Sequence, residues 1–178
     1  TVTITNLQDG AEESLAATTG GTNITAAYNA AGVLTLSGSD TIATYQSVLR
    51  SVTYNNTSQN PGTTARNITF VANDGTANSA AGTTTLAVAA VNDVPVLDLD
   101  AGGVGTGFAA TFTEGDSPVA IADTDATLSD VDSANLTSLT VTITNLQDGA
   151  EESLAATTGG TNITAAYNAA GVLTLSGS

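Results

Sequence analysis

Apolar and polar positions alternate along most of the chain, and the alternation breaks it into short strands. The longest run is "LTSLTVTITN" (136–145). Shorter ones are "PVLDLD", "FAATFTE", "SPVAIAD", "NITAAYN", "GVLTLSG", "RSVTYNN", "RNITFVAND" and "GTTTLAVAAV". Clusters of Gly, Asn, Asp and Ser separate them, as expected for hairpins and sandwich loops. One segment departs from the period of two. In "SDTIATYQSVLRSV" (39–52), Ile42, Tyr45 and Leu49 follow at three- and four-residue steps, with Ser39 or Asp40 placed to cap. The pattern predicts an all-β Greek-key sandwich with one short helix, somewhat larger than the roughly 100 residues of an immunoglobulin domain.

An internal repeat changes how these elements are grouped. Residues 1–39 recur without one change at 140–178, an offset of 139 residues. Identity over that length implies a tandem array, and the chain reads as a window on it. With a unit starting near Asn92, residues 1–91 are the C-terminal part of one repeat and 92–178 the N-terminal part of the next. Half a sandwich exposes its inner face and cannot offset its ordering entropy. Three arrangements answer that: the halves close on each other as a permuted unit, neighbouring copies complete them, or a longer chain continues.

Composition then removes whole classes of chemistry. The chain has no Cys, His, Met or Trp, so Ser-His-Asp and Cys-His catalysis and the usual zinc and copper sites are excluded. Seventeen acids face two bases, Arg50 and Arg66, for a net charge of −15, which repels nucleic acid and anionic membrane surfaces. No run of about 18 apolar residues exists, so no membrane insertion is expected. Val, Ile, Leu, Ala and alternating Thr favour strands. Threonine-rich stretches such as "TVTIT" read as half-exposed strands rather than an ice-binding ladder, because the period is 139.

Where the few charges fall is informative. In "AAVNDVPVLDLD" (89–100), Asn92 and Asp93 form a corner, Pro95 cannot donate to a ladder, and alternation puts Asp98 and Asp100 on one face. Glu114 and Asp116 stand at a strand end, and Asp123, Asp125, Asp130 and Asp132 punctuate "IADTDATLSDVDSANL". An Asp-x-Asp pair in a loop aims two hard oxygens at one point, which suits calcium and its six to eight oxygen ligands. Isolated loop aspartates also cap turns, and both readings stand for these positions. Asn73-Asp74-Gly75 is a turn signal in its own right. Asp9, Glu12 and Glu13, with their copies Asp148, Glu151 and Glu152, read as a solvated loop or short helical turn. "AGGVGTGF" lacks the aspartate that a glycine-rich calcium coil needs at Gly107 and reads as a flexible loop.

Taken together, "VNDVPVLDL", "FTEGDSPVAI", "LSDVDSANL" and "VANDGTANS" resemble the cadherin-like repeats of large bacterial surface adhesins, including those exported with RTX proteins. The resemblance implies a calcium cluster at the joint between repeats. Carried over, it points to Asn92, Asp93, Glu114, Asp130, Asp132 and Asp74. The family's linker has Asp where Ala90 stands and Asn where Val94 stands, which reduces the expectation to one ion per joint, or to partial occupancy. The implied role is a structural extender on a bacterial surface or in an extracellular filament. Its partners are neighbouring identical repeats, and other copies in a fibre. The alternative is an adhesin module that holds a glycan or protein in its loops, for which the aromatic platform would have to come from Tyr28, Tyr45, Tyr54 and Tyr167. An enzyme would need a carboxylate pair across a cleft, and none is expected here.

Overall fold

The computed structural model describes residues 1–177. Two compact units divide the chain, Thr1–Asp132 and the stretch from Ser133 onward. The first of these units includes residues 92–132, which the repeat assigns to the following copy.

In the first unit the strands are β1 (Val2–Ile4), β2 (Glu13–Ala16), β3 (Thr25–Tyr28), β4 (Val33–Ser37), β5 (Thr53–Asn56), β6 (Arg66–Phe70), β7 (Gly82–Leu86), β8 (Val96–Asp98) and β9 (Thr127–Ser129). Five of them form an antiparallel sheet in the order β3-β4-β1-β6-β7. The first strand therefore lies in the middle, with Val2 opposite Leu34 on one side and Phe70 on the other. β2 and β5 pair separately, and Leu15 of β2 joins Val2, Ile4, Leu34 and Ile68 in one buried cluster. Tyr28, Leu36, Val52, Tyr54, Phe70 and Leu86 pack around it. Two antiparallel layers around a shared aliphatic core make this an all-β sandwich, as the alternation predicts.

The single α-helix, α1 (Ile42–Arg50), joins β4 to β5. Its cap is Thr41, whose Oγ1 accepts from the Thr44 N–H at 3.1 Å. Asp40 sits one step earlier and accepts from the backbone N–H of Thr41 and of Asn23. The buried position is Val48, whereas Ile42 is 80% and Leu49 48% exposed. The expected helix is present, but its inward face is rotated from the expected Ile42-Tyr45-Leu49 stripe.

Two expected strands, 108–114 and 117–123, form no ladder, and Phe112, Val119 and Ile121 are exposed. A strand exists through its partner's ladder of hydrogen bonds, and among the described residues these stretches show one such bond to a neighbouring segment, from the Asp123 N–H to the Leu99 carbonyl at 2.8 Å. Conversely, β9 arises within the acidic loop segment by pairing with β8, Leu97 opposite Leu128.

The second unit contains β10 (Ser138–Thr142), β11 (Ile163–Asn168) and β12 (Val172–Gly177) in the order β10-β12-β11. Register repeats that of the first copy: Val141 faces Leu173 as Val2 faces Leu34, and Thr164 faces Ser176 as Thr25 faces Ser37. Packing does not repeat. Ile24 is 3% exposed, and its copy Ile163 is 42% exposed. Glu13–Ala16 is a strand, and the same four residues at 152–155 form none.

Candidate metal centre

Of the six residues implied as calcium ligands, three are drawn together by the β8–β9 hairpin. The backbone N–H of Asp93 donates to Asp132 Oδ2 at 2.9 Å, and that of Asp132 donates to Asp130 Oδ1 at 3.0 Å. The pairing of Val96 with Ser129 puts the two ends of the hairpin side by side. Asp132 Oδ1 is buried with no hydrogen-bond partner. An orphaned carboxylate oxygen in a folded chain is costly and calls for a cation or water. Gln59 lines the same groove as Asp93, Ser129 and Asp130, and its side-chain amide is an oxygen donor that the sequence pattern did not mark. Asn92 is exposed and turns its amide N–H onto the Asp93 carbonyl.

The other two implied ligands are elsewhere. Asp74 closes its own turn, with Oδ1 accepting from the N–H groups of Thr76 and Ala77, both at 2.8 Å. Those backbone donors hold its carboxyl below the ordinary aspartate value. Glu114 is exposed in the turn that the Asp116 N–H closes onto the Thr113 carbonyl. Among the described residues, no hydrogen bond or ion pair joins either one to Asp93 or Asp132. No group of three or more acidic side chains among the described residues is arranged to hold a metal ion. What the hairpin does gather is a pair of hard-oxygen side chains, Asp130 and Asp132, with Asp93 joined to Asp132 through its backbone N–H; a calcium ion there would need most of its six to eight oxygens from backbone carbonyls, Gln59 or water.

A different acidic group has a definite electrostatic role. Glu13, expected in a solvated loop, is buried. Its Oε1 accepts from Arg66 Nε and from the Tyr54 hydroxyl, the latter at 2.8 Å. Arg66 is completely buried, and its Nη2 reaches Asp9 Oδ2 at 2.7 Å. Asp9 also accepts from Asn56 Nδ2 and from the Gly62 N–H. Burial alone would raise the Glu13 carboxyl, but Arg66, Tyr54 and the N–H groups of Gln8 and Asp9 hold it below its ordinary value. The Gly62 N–H, opposed by burial and helped by Asn56 and Arg66, does the same for Asp9. This cluster ties the 3-10 turn Gly10–Glu12 and β2 to β5 and β6.

The tyrosines form no exposed platform. The hydroxyls of Tyr28 and Tyr167 donate to the carbonyls of Glu13 and Glu152, and that of Tyr45 to the Gly38 carbonyl.

Fold and contacts together define an all-β sandwich with an exact internal repeat and an acidic hairpin. Compared with protein-family models, with curated proteins and with solved structures, the chain matched none.

Proposed function

We propose that this chain is a stretch of structural extender, repeated units that lengthen a bacterial surface adhesin or extracellular filament and are stiffened by calcium at the joints. The observation that carries the reading is the exact recurrence of residues 1–39 at 140–178, an offset of 139 residues. Units that recur with identical sequence suit a spacer, whose selected property is length. The cadherin-like resemblance supplies the expectation of calcium, and the orphaned Asp132 Oδ1 supports it. Calcium there neutralises a carboxylate pair in a chain of net charge −15 and pins the hairpin at the joint. Extracellular modules of this kind bind with Kd of roughly 10⁻⁴ to 10⁻³ M, so occupancy demands surroundings rich in calcium.

A thermal melt in excess EDTA and then in millimolar calcium tests this. At ten times Kd one site adds about 1.4 kcal/mol, a rise in Tm on the order of 5 °C for a unit of this size. Asp132→Asn, which keeps the shape and removes the charge, is expected to abolish the rise. An identical melt in both buffers would leave the acids as turn caps and the metal reading without support.

A further inference from the structure

The joint between repeats has two sides, and the hairpin β8–β9 is only one of them. The other is the loop 56–62, which runs from the end of β5 toward β6 in the preceding repeat. Ser58, Gln59 and Pro61 line a groove with Val91 and Asp93. Gln59 and Asp93 also line the adjoining groove, with Ser129 and Asp130. One residue of the preceding repeat and one of the following repeat thus border both grooves.

Gln59 is exposed, yet the loop that carries it is anchored from beneath. Asn56 Nδ2 donates to Asp9 Oδ2 at 2.7 Å, and the Gly62 N–H donates to Asp9 Oδ1 at 3.0 Å. A single carboxylate therefore holds both ends of the loop. Arg66, completely buried, fixes that carboxylate through Nη2 and the Gly62 carbonyl through Nη1, at 2.7 and 2.9 Å. The Thr57 N–H donates to the Glu12 carbonyl at 3.0 Å. Within the loop, the Ser58 N–H donates to Asn56 Oδ1 and the Asn60 N–H to Ser58 Oγ, while Pro61 fixes its own φ.

We propose that residues 56–62 are a bracket on which each repeat seats the hairpin of the repeat that follows, with Gln59 as the contact and Asp9 as the residue that positions it. The proposal rests on the reading of the chain as stacked extender units. A carboxamide suits that place: its NH2 donates to a neighbouring carboxylate, and its oxygen can face a cation. Being neutral, it adds no repulsion where Asp93, Asp130 and Asp132 already stand. The angle between neighbours is then set outward from the core of one repeat, from Arg66 to Asp9, from Asp9 to the loop, and from the loop to the next hairpin.

Amide hydrogen exchange of the full chain tests this at Asp93 and Asp132, whose N–H groups are bonded within the hairpin. The reference is the Ile4 N–H, bonded to the Gly32 carbonyl in the core sheet. Gln59→Glu sets a like charge beside the hairpin and is expected to speed both hairpin amides about tenfold in excess EDTA, with Ile4 unchanged. Millimolar calcium, offered one more carboxylate oxygen, is expected to reverse the change. Asp9→Asn loosens the sandwich and speeds Ile4 in any case; as a positioning residue it is expected to speed Asp93 and Asp132 as well. Hairpin amides that Gln59→Glu leaves unchanged in EDTA overturn the bracket, and an effect of Asp9→Asn on Ile4 alone overturns the part given to Asp9. Calcium that protects neither hairpin amide in the unsubstituted chain sinks the metal reading of the joint, and the EDTA comparison still decides this one.

Discussion

Arg66 shows how much a single side chain can organise in a protein with two basic residues. Its burial looks improbable from composition, yet period two makes it legible: Arg66, Ile68 and Phe70 share one strand face, and Ile68 is core. Glu13 likewise shares a face with Leu15. What the pattern could not show was which of Glu12 and Glu13 turned inward, since the choice depends on where the 3-10 turn ends. Arg66→Met strands the buried Glu13 carboxylate and the partly buried Asp9 and is expected to cost about 3–5 kcal/mol, read as a lowered urea midpoint. A loss below about 1 kcal/mol would mean the cluster only replaces its own hydration. Because Asp9 and Glu13 both sit below their ordinary values in the fold, their stabilisation is complete above the carboxylate range. It is lost as pH falls through the folded values. Unfolding midpoints measured from neutral to acid pH should fall accordingly, and fall less steeply in Arg66→Met.

Elements follow their partners more than their sequence. Glu-Ser-Leu-Ala is β2 at 13–16 and irregular at 152–155, with identical residues and different neighbours. The alternating runs 108–114 and 117–123 have strand composition and no ladder for the same reason. Strands that found partners, such as β4, β6 and β12, were readable directly from alternation. Helix α1 was readable as a helix, but its buried face was set by what lies beneath Val48. Gly38 gives this dependence a test within one chain. It adopts φ 134°, and a Cβ there would stand 2.1 Å from the Asn23 carbonyl oxygen. The clamp of Asp40 on the Asn23 N–H holds that approach. Its copy Gly177 has only the Leu136 carbonyl at 3.8 Å. Gly38→Ala is expected to cost about 2 kcal/mol and Gly177→Ala less than about 0.5 kcal/mol, measured as separate denaturation curves.

At the scale of the molecule, the repeat was visible at once, and so were the acidic residues, but which acids meet was not. Asp132 reaches Asp93, with Asp130 bonded to the Asp132 N–H, because β8 pairs with β9, a strand hidden in what reads as loop. Asp74 serves its own hairpin turn, as its Asn-Asp-Gly sequence alone already allowed. Within the first unit, residues 40–91 pair with 1–39 through β1–β6 and β2–β5. The central place of β1 also has a mechanical meaning. It is bonded on one edge to β4 and on the other to β6, antiparallel to both. Those bonds run across the strand direction, so tension applied to the backbone at Thr1 loads both ladders in shear. Rupture then requires many bonds to fail together instead of one after another.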